Sequence, residues 1–177
     1  VDDELEGQPS ADADEDGADE AGFDPNAQMF ITGQSQDLTI PVMNMTGVDA
    51  KLTVFIDWNN DGDFGGTDEM YSTTVADLAT SATITGVTPP TASTTLNDDI
   101  GLRLRSSTDM AASMNPEGPA PDGEVEDYEI MVMGFDYGDL ADGADGTGEQ
   151  DYETSSANGG PSHKIITDEN DMVLLKI

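Results

Sequence analysis

Apolar residues along this chain recur at every second position in short bursts, and no long stretch carries the 3.6-residue period of an amphipathic helix. In "AKLTVFIDW", residues 50 to 58, Leu52, Val54 and Ile56 fall on one face. In "DIGLRLRSS", residues 99 to 107, Ile100, Leu102 and Leu104 alternate with Gly101, Arg103 and Arg105. That pattern reads as a strand with one apolar face and one wet or functional face. "DLTIPV", "MYSTTV", "ATITGV" and "DYEIMVM" complete a set of short strand candidates between about residues 28 and 133, bounded by Gly, Pro, Asn and Asp. Several such strands over about a hundred residues predict an all-β fold, an antiparallel β-sandwich of jelly-roll or Ig-like kind.

The flanks read differently. Residues 1 to 24 hold eleven acids and no base, with almost nothing to bury. Residues 1–27 are therefore expected to be an acidic, solvated extension. Residues 134–177 open with a Gly-rich acidic run and close with the apolar "NDMVLLKI". A strand as apolar as Met172, Val173, Leu174, Leu175, Lys176 and Ile177 is a hazard with a free edge, so it is expected to form an interface.

Composition limits the partners. Five basic residues against 38 acids give a net charge of −33, which makes nucleic acid and anionic membranes poor partners. Such a surface needs screening by salt or bound cations. The chain contains no cysteine, so neither disulfides nor thiolate metal sites contribute, and calcium is the natural stabilising ion. No apolar run approaches the length of a membrane span, and no basic region followed by an apolar one opens the sequence, so any export signal is expected to lie outside it.

One stretch has the spacing of a hard-cation loop. "DWNNDGDFGGTDE" places Asp57, Asn59, Asp61 and Asp63 on alternate positions around Gly62, with Asp68 and Glu69 following. The first half matches an EF-hand loop, but a strand precedes it where an EF-hand has a helix. What remains is a candidate calcium site made of carboxylate and carbonyl oxygens. The same residues also read as an acidic hairpin turn, since Asp-Gly is a strong turn signal.

"GEVEDY" at 123 to 128 enters a strand, with Glu124 and Glu126 on one side. Arg103 and Arg105 are the chain's two arginines, and on a neighbouring strand they are expected to pair with these glutamates. A contact from either glutamate to the Asp57 loop is the competing use. Asp127 and Tyr128 are expected to fix the corner where this strand begins. His163, the single histidine, stands beside Ser162, but adjacency gives no sign of a catalytic triad, so no enzyme is expected. Asn44 in "NMT" fits a glycosylation acceptor pattern.

Three of these motifs together, "VFIDWNNDGDF", "GLRLRSS" and "GEVEDYEIMVM", resemble the GEVED domain of large bacterial secreted and surface proteins. The likeness covers residues 28–133. "FDYGDLADGADGTGEQDYETSSANGGPSHKI" further resembles the DYGDLPD segment that accompanies such domains, with Ala141 where proline is usual. The resemblance implies a β-sandwich module of an extracellular, cell-surface protein. It also implies an order: in that segment the apolar strand precedes an acidic stretch like "VDDELEGQPSADADEDG", which here comes first. Reading from Ile177 into Val1 of another copy restores the order. The expectation is a head-to-tail array of copies, either tandem repeats of one chain or separate subunits, forming a fibre stabilised by calcium. The alternative is an adhesin domain recognising glycan or a surface through residues 88–98 and 108–122.

Overall fold

Strands form where the alternation is strongest, and the longest of them sit in the centre of the larger sheet. The computed structural model describes residues 23–24, 27–91, 94, 99–137 and 159–164. Its elements are β1 (Phe30–Ile31), β2 (Gln36–Pro41), β3 (Ala50–Ile56), β4 (Met70–Val75), β5 (Ser81–Val87) and β6 (Asp99–Ser107), then α1 (Met110–Ser113), β7 (Glu124–Met133), β8 (Phe135–Tyr137) and β9 (Ser162–Lys164). The protein is all-β, with α1 a four-residue turn of helix capped by the Asp109 carboxylate. The strand candidates at 70 to 75 and 99 to 107 match β4 and β6 residue for residue. The chain divides into two units, Val1–Val132 and Met133–Ile177.

In the first unit, a five-stranded sheet runs β1-β7-β6-β3-β4, and β2 pairs with β5 in a separate two-stranded sheet. β3 is antiparallel to both β4 and β6, and β6 is antiparallel to β7. The register places Val54 opposite Leu104 and Leu102 opposite Tyr128, so one face of the large sheet is continuously apolar. Leu38 and Ile40 of β2 and Ile84 of β5 meet that face in a single buried cluster. Trp58, fully buried, stacks edge-on against Phe30 and donates its indole N–H to the Asp68 carbonyl at 2.8 Å.

The other face of the large sheet is covered as well, which explains why β3 is buried at nearly every position. The Ser113 hydroxyl donates to the Lys51 carbonyl at 2.9 Å, and the Phe64 ring packs against Phe55 with centroids 5.8 Å apart. Two loops therefore cover the outside of the sheet, 57–69 at one end and 108–118 at the other.

In the second unit, β8 pairs antiparallel with β9, with Asp136 opposite His163 and Tyr137 opposite Ser162. The candidate interface strand Met172–Ile177 and most of the acidic extension 1–27 lie outside the described residues.

Candidate functional sites

The loop after β3 is organised by its own carboxylates. Asp57, buried, accepts from the backbone N–H of Asp61 at 3.1 Å through Oδ1 and from that of Gly62 at 2.9 Å through Oδ2. Gly62 turns the chain with φ +87°, a region that side chains resist. Asn59 donates from Nδ2 to Asp61 at 2.8 Å, and Asp61 and Asp63 in turn accept the N–H groups of Asp63 and Gly65. Each acidic side chain closes a turn by accepting an N–H two to five residues ahead. Glu69 closes the far end. Its side chain is 2% exposed and accepts from Gly66 N–H at 2.6 Å. Burial pushes its pKa up, against the lowering effect of that hydrogen bond, and the nearby Asp57 and Asp61 carboxylates push it up further.

The donor set suits a hard cation, being oxygen throughout, and repulsion from Asp57 and Asp61 adds to the burial that raises the Glu69 pKa. Yet among the described residues no three acidic or histidine side chains converge closely enough to hold a metal ion. Asp63 points to Gly65, and Asp68 contributes its carbonyl to Trp58. As it stands, the loop satisfies its own polar groups as a turn.

The GEVED corner forms the second constellation. The register of β6 and β7 puts Glu126 opposite Leu104 and Glu124 opposite Ser106, on the face away from the arginine side chains. Arg103 instead faces Asp127, gripping both its oxygens at 2.6 and 2.5 Å, and donates also to the Pro116 carbonyl at 2.9 Å. The neighbouring strand was expected; its acid is Asp127, because parity along a strand fixes which residues share a face. The bidentate bond to Asp127 holds the Arg103 pKa above its ordinary value, and the guanidinium also lies 5.7 Å from the Phe64 ring centroid.

Arg105 is almost fully buried and takes carbonyls rather than carboxylates. It donates to Asn115 at 2.7 Å, Glu117 at 2.8 Å and Gly118 at 2.5 Å. The two arginines thus tie the segment 115–118 down onto the sheet. Beside them, Asp122 accepts from the Ser107 hydroxyl and the Thr108 N–H, each at 2.8 Å, and from the Thr108 hydroxyl. The Thr108 and Ser107 hydroxyls hold its carboxyl below the usual range. Gly123 follows with φ +98°, and a Cβ there would stand 1.9 Å from the Ser106 carbonyl oxygen. Only glycine allows β7 to start this close to the end of β6. Sequence reasoning missed Asp122 and the purpose of Gly123, though both stand in the "DGEVED" run.

A third feature was not foreseen. Between the two sheets, on the side of β2, an apolar groove of about 540 Å³ opens, lined by Ile40, Val42, Leu52, Leu104 and Tyr128 with Asp122, Glu124 and Glu126 at its margin. Met43 lines its mouth and is 76% exposed. Met45, Val48 and Leu78 are exposed close by, on two segments joined by the Leu78 N–H to Asn44 carbonyl bond of 2.7 Å. Leu78 holds φ +64°, an unusual conformation for a large apolar residue. Asn44 itself is buried, with its amide nitrogen donating to the Val48 and Val75 carbonyls, so the folded domain does not offer it for glycosylation.

No helix among the described residues is long and apolar enough to cross a membrane. Comparison with curated proteins and with solved structures finds no match. Comparison with protein families finds one: a GEVED domain at residues 51–131, which spans β3 through most of β7 and takes in the Asp57 loop, both arginines and the glycine-led corner.

Proposed function

We propose that the chain is a structural repeat or subunit of an extracellular fibre or surface protein, built on a GEVED-type β-sandwich that assembles head to tail with copies of itself. One observation carries this reading. A chain of net charge −33 exposes Met43, Met45, Val48 and Leu78 together at one end of its first unit, and an apolar patch on so acidic a protein is a contact surface. The polar clusters described above support it too, because each is spent on holding loops to the sheet.

Calcium is proposed as the stabilising ion, with Asp57, Asp61 and Glu69 as the residues that would hold it, since their oxygens close the same loop and a cation would offset the repulsion that Asp57 and Asp61 add to the burial of Glu69. When bound it would supply charge neutralisation and no chemistry. The proposal needs the loop to exchange some of its N–H bonds for the ion.

The test is assembly. The full chain should form fibres visible by negative-stain electron microscopy, and deleting residues 170–177 should stop them while the fluorescence of buried Trp58 stays native. A full chain that remains monomeric at high concentration would sink the reading. A monomer that binds a glycan array would favour an adhesin instead.

A further inference from the structure

We infer that the groove between the two sheets of one copy receives the apolar strand Met172–Ile177 of a neighbouring copy. The inference rests on the head-to-tail reading and names its acceptor. All the described residues that line the groove belong to the first unit.

Three properties of the groove select this occupant. The first is its apolar lining. The two-stranded sheet of β2 and β5 faces a sheet of five, and beyond β2 the buried row Leu52, Leu104 and Tyr128 forms the floor of a groove whose exposed apolar surface is at its rim, at Met43 and the half-buried Val42. An apolar channel of that kind is stabilised by another apolar chain, at about 25 cal/mol for each Å² removed from water. The second is length. Six extended residues span roughly 20 Å at 3.3 Å each, and the groove follows the end of β6 from Leu104 to Ser107 and continues past the strand to Thr108, at most roughly 17 Å on the same rise. The third is charge. Asp122, Glu124 and Glu126 border the groove, and Lys176 gives the strand a cation. The chain has five basic residues in all, and two of them, Arg103 and Arg105, are already committed to the 115–118 segment. An acidic border therefore disfavours the acidic segments of this protein and favours one that, like this one, carries a cation and no acid.

Alternation along a strand completes the fit. Val173, Leu175 and Ile177 fall on one side and Met172, Leu174 and Lys176 on the other. One apolar row would enter the groove and leave Lys176 at its rim, where the negative field of Asp122, Glu124 and Glu126 favours a cation. The exposed Met43 and Met45 give the incoming strand an apolar landing surface with adaptable side chains.

The absence of native cysteine makes disulfide trapping clean. One preparation carries Met43→Cys, a second carries Ile177→Cys, and a third carries Thr83→Cys on the exposed face of β5 as a control. Mixing the first two under mild oxidation should give a crossed disulfide, identified by mass after proteolysis, which is lost when Thr83→Cys replaces Met43→Cys. Separately, Lys176→Glu in the otherwise unaltered chain should lose fibres at low salt while keeping native Trp58 fluorescence.

Fibres that form without the crossed disulfide, or whose low-salt assembly is unmoved by Lys176→Glu, overturn the groove assignment but leave head-to-tail assembly standing. A doubly substituted Met43→Cys, Ile177→Cys chain that closes on itself at high dilution while crossed dimers are absent overturns it as well. A chain that never assembles overturns both readings.

Discussion

Gly123 shows how little freedom a single position has where one strand starts against the end of its neighbour. Alanine there would need a φ of +98° and a Cβ inside the Ser106 carbonyl, so Gly123→Ala should cost on the order of 3 kcal/mol in chemical denaturation. A variant as stable as the parent would show that the approach is loose. Glu69 and Asp122 make opposite predictions for pH. Asp122 has a lowered folded pKa, so its contribution is present above the ordinary carboxylate range and is lost as pH falls through the folded value. Glu69 has a raised one. Its ionised form is less favourable in the fold than in the unfolded chain, so its effect on stability worsens as pH rises from the ordinary value to the folded one. Without calcium, Glu69→Gln should therefore melt higher than the parent at pH 7 and at about the same temperature near pH 3. With millimolar calcium the parent should gain stability by mass action and the variant should gain less. Equal calcium shifts in the two proteins would remove Glu69 from the proposed site.

At the scale of elements, the segment 108–118 has little regular structure beyond α1, and two arginines substitute for it. Arg105 presents a rigid fork to three carbonyls, a geometry that the single ammonium of lysine does not reproduce. Removing it leaves those acceptors unsatisfied beside the sheet. Arg105→Met should cost about 3 kcal/mol, and Arg105→Lys should recover less than half of that. Hydrogen exchange should report the loss first in residues 111–118, ahead of β3 and β6. Uniform loosening of the whole sheet would mean that Arg105 supports the core and not the segment. Arg103 holds Asp127, the Pro116 carbonyl and the Phe64 ring together and so couples both covering loops.

For the whole molecule, the −33 charge dominates the response to solvent. Exposed carboxylates repel one another over about 10 Å at 0.1 M salt and about 3 Å at 1 M. The melting temperature should accordingly climb as sodium chloride rises from 0.1 to 1 M. Assembly should be promoted over the same range, because two copies of like charge must approach before any apolar strand docks. A melting temperature flat across that range would show that the acids are too dispersed to strain the fold.

The all-β character and the longer strands were legible along the chain, β4 and β6 to the residue, because a period of two between Gly and Asp punctuation is a local property of the sequence; the short β1, β8 and β9 were not, and β7 starts three residues before its candidate. Leu52, Val54 and Ile56 were placed on the core face by alternation alone. The Asp57 loop was legible as a turn with Gly62 at its apex, since closely spaced Asp and Asn side chains cap their own backbone. Register was not legible. Which acid meets Arg103 depends on how far β7 slides along β6, and one residue of slip exchanges Asp127 for a glutamate. The burial of Asn44, the carbonyl partners of Arg105 and the groove beside β2 are likewise set by contacts between segments far apart in sequence. A local pattern specifies which face of each strand is apolar; only packing decides how much of that face its neighbours leave uncovered.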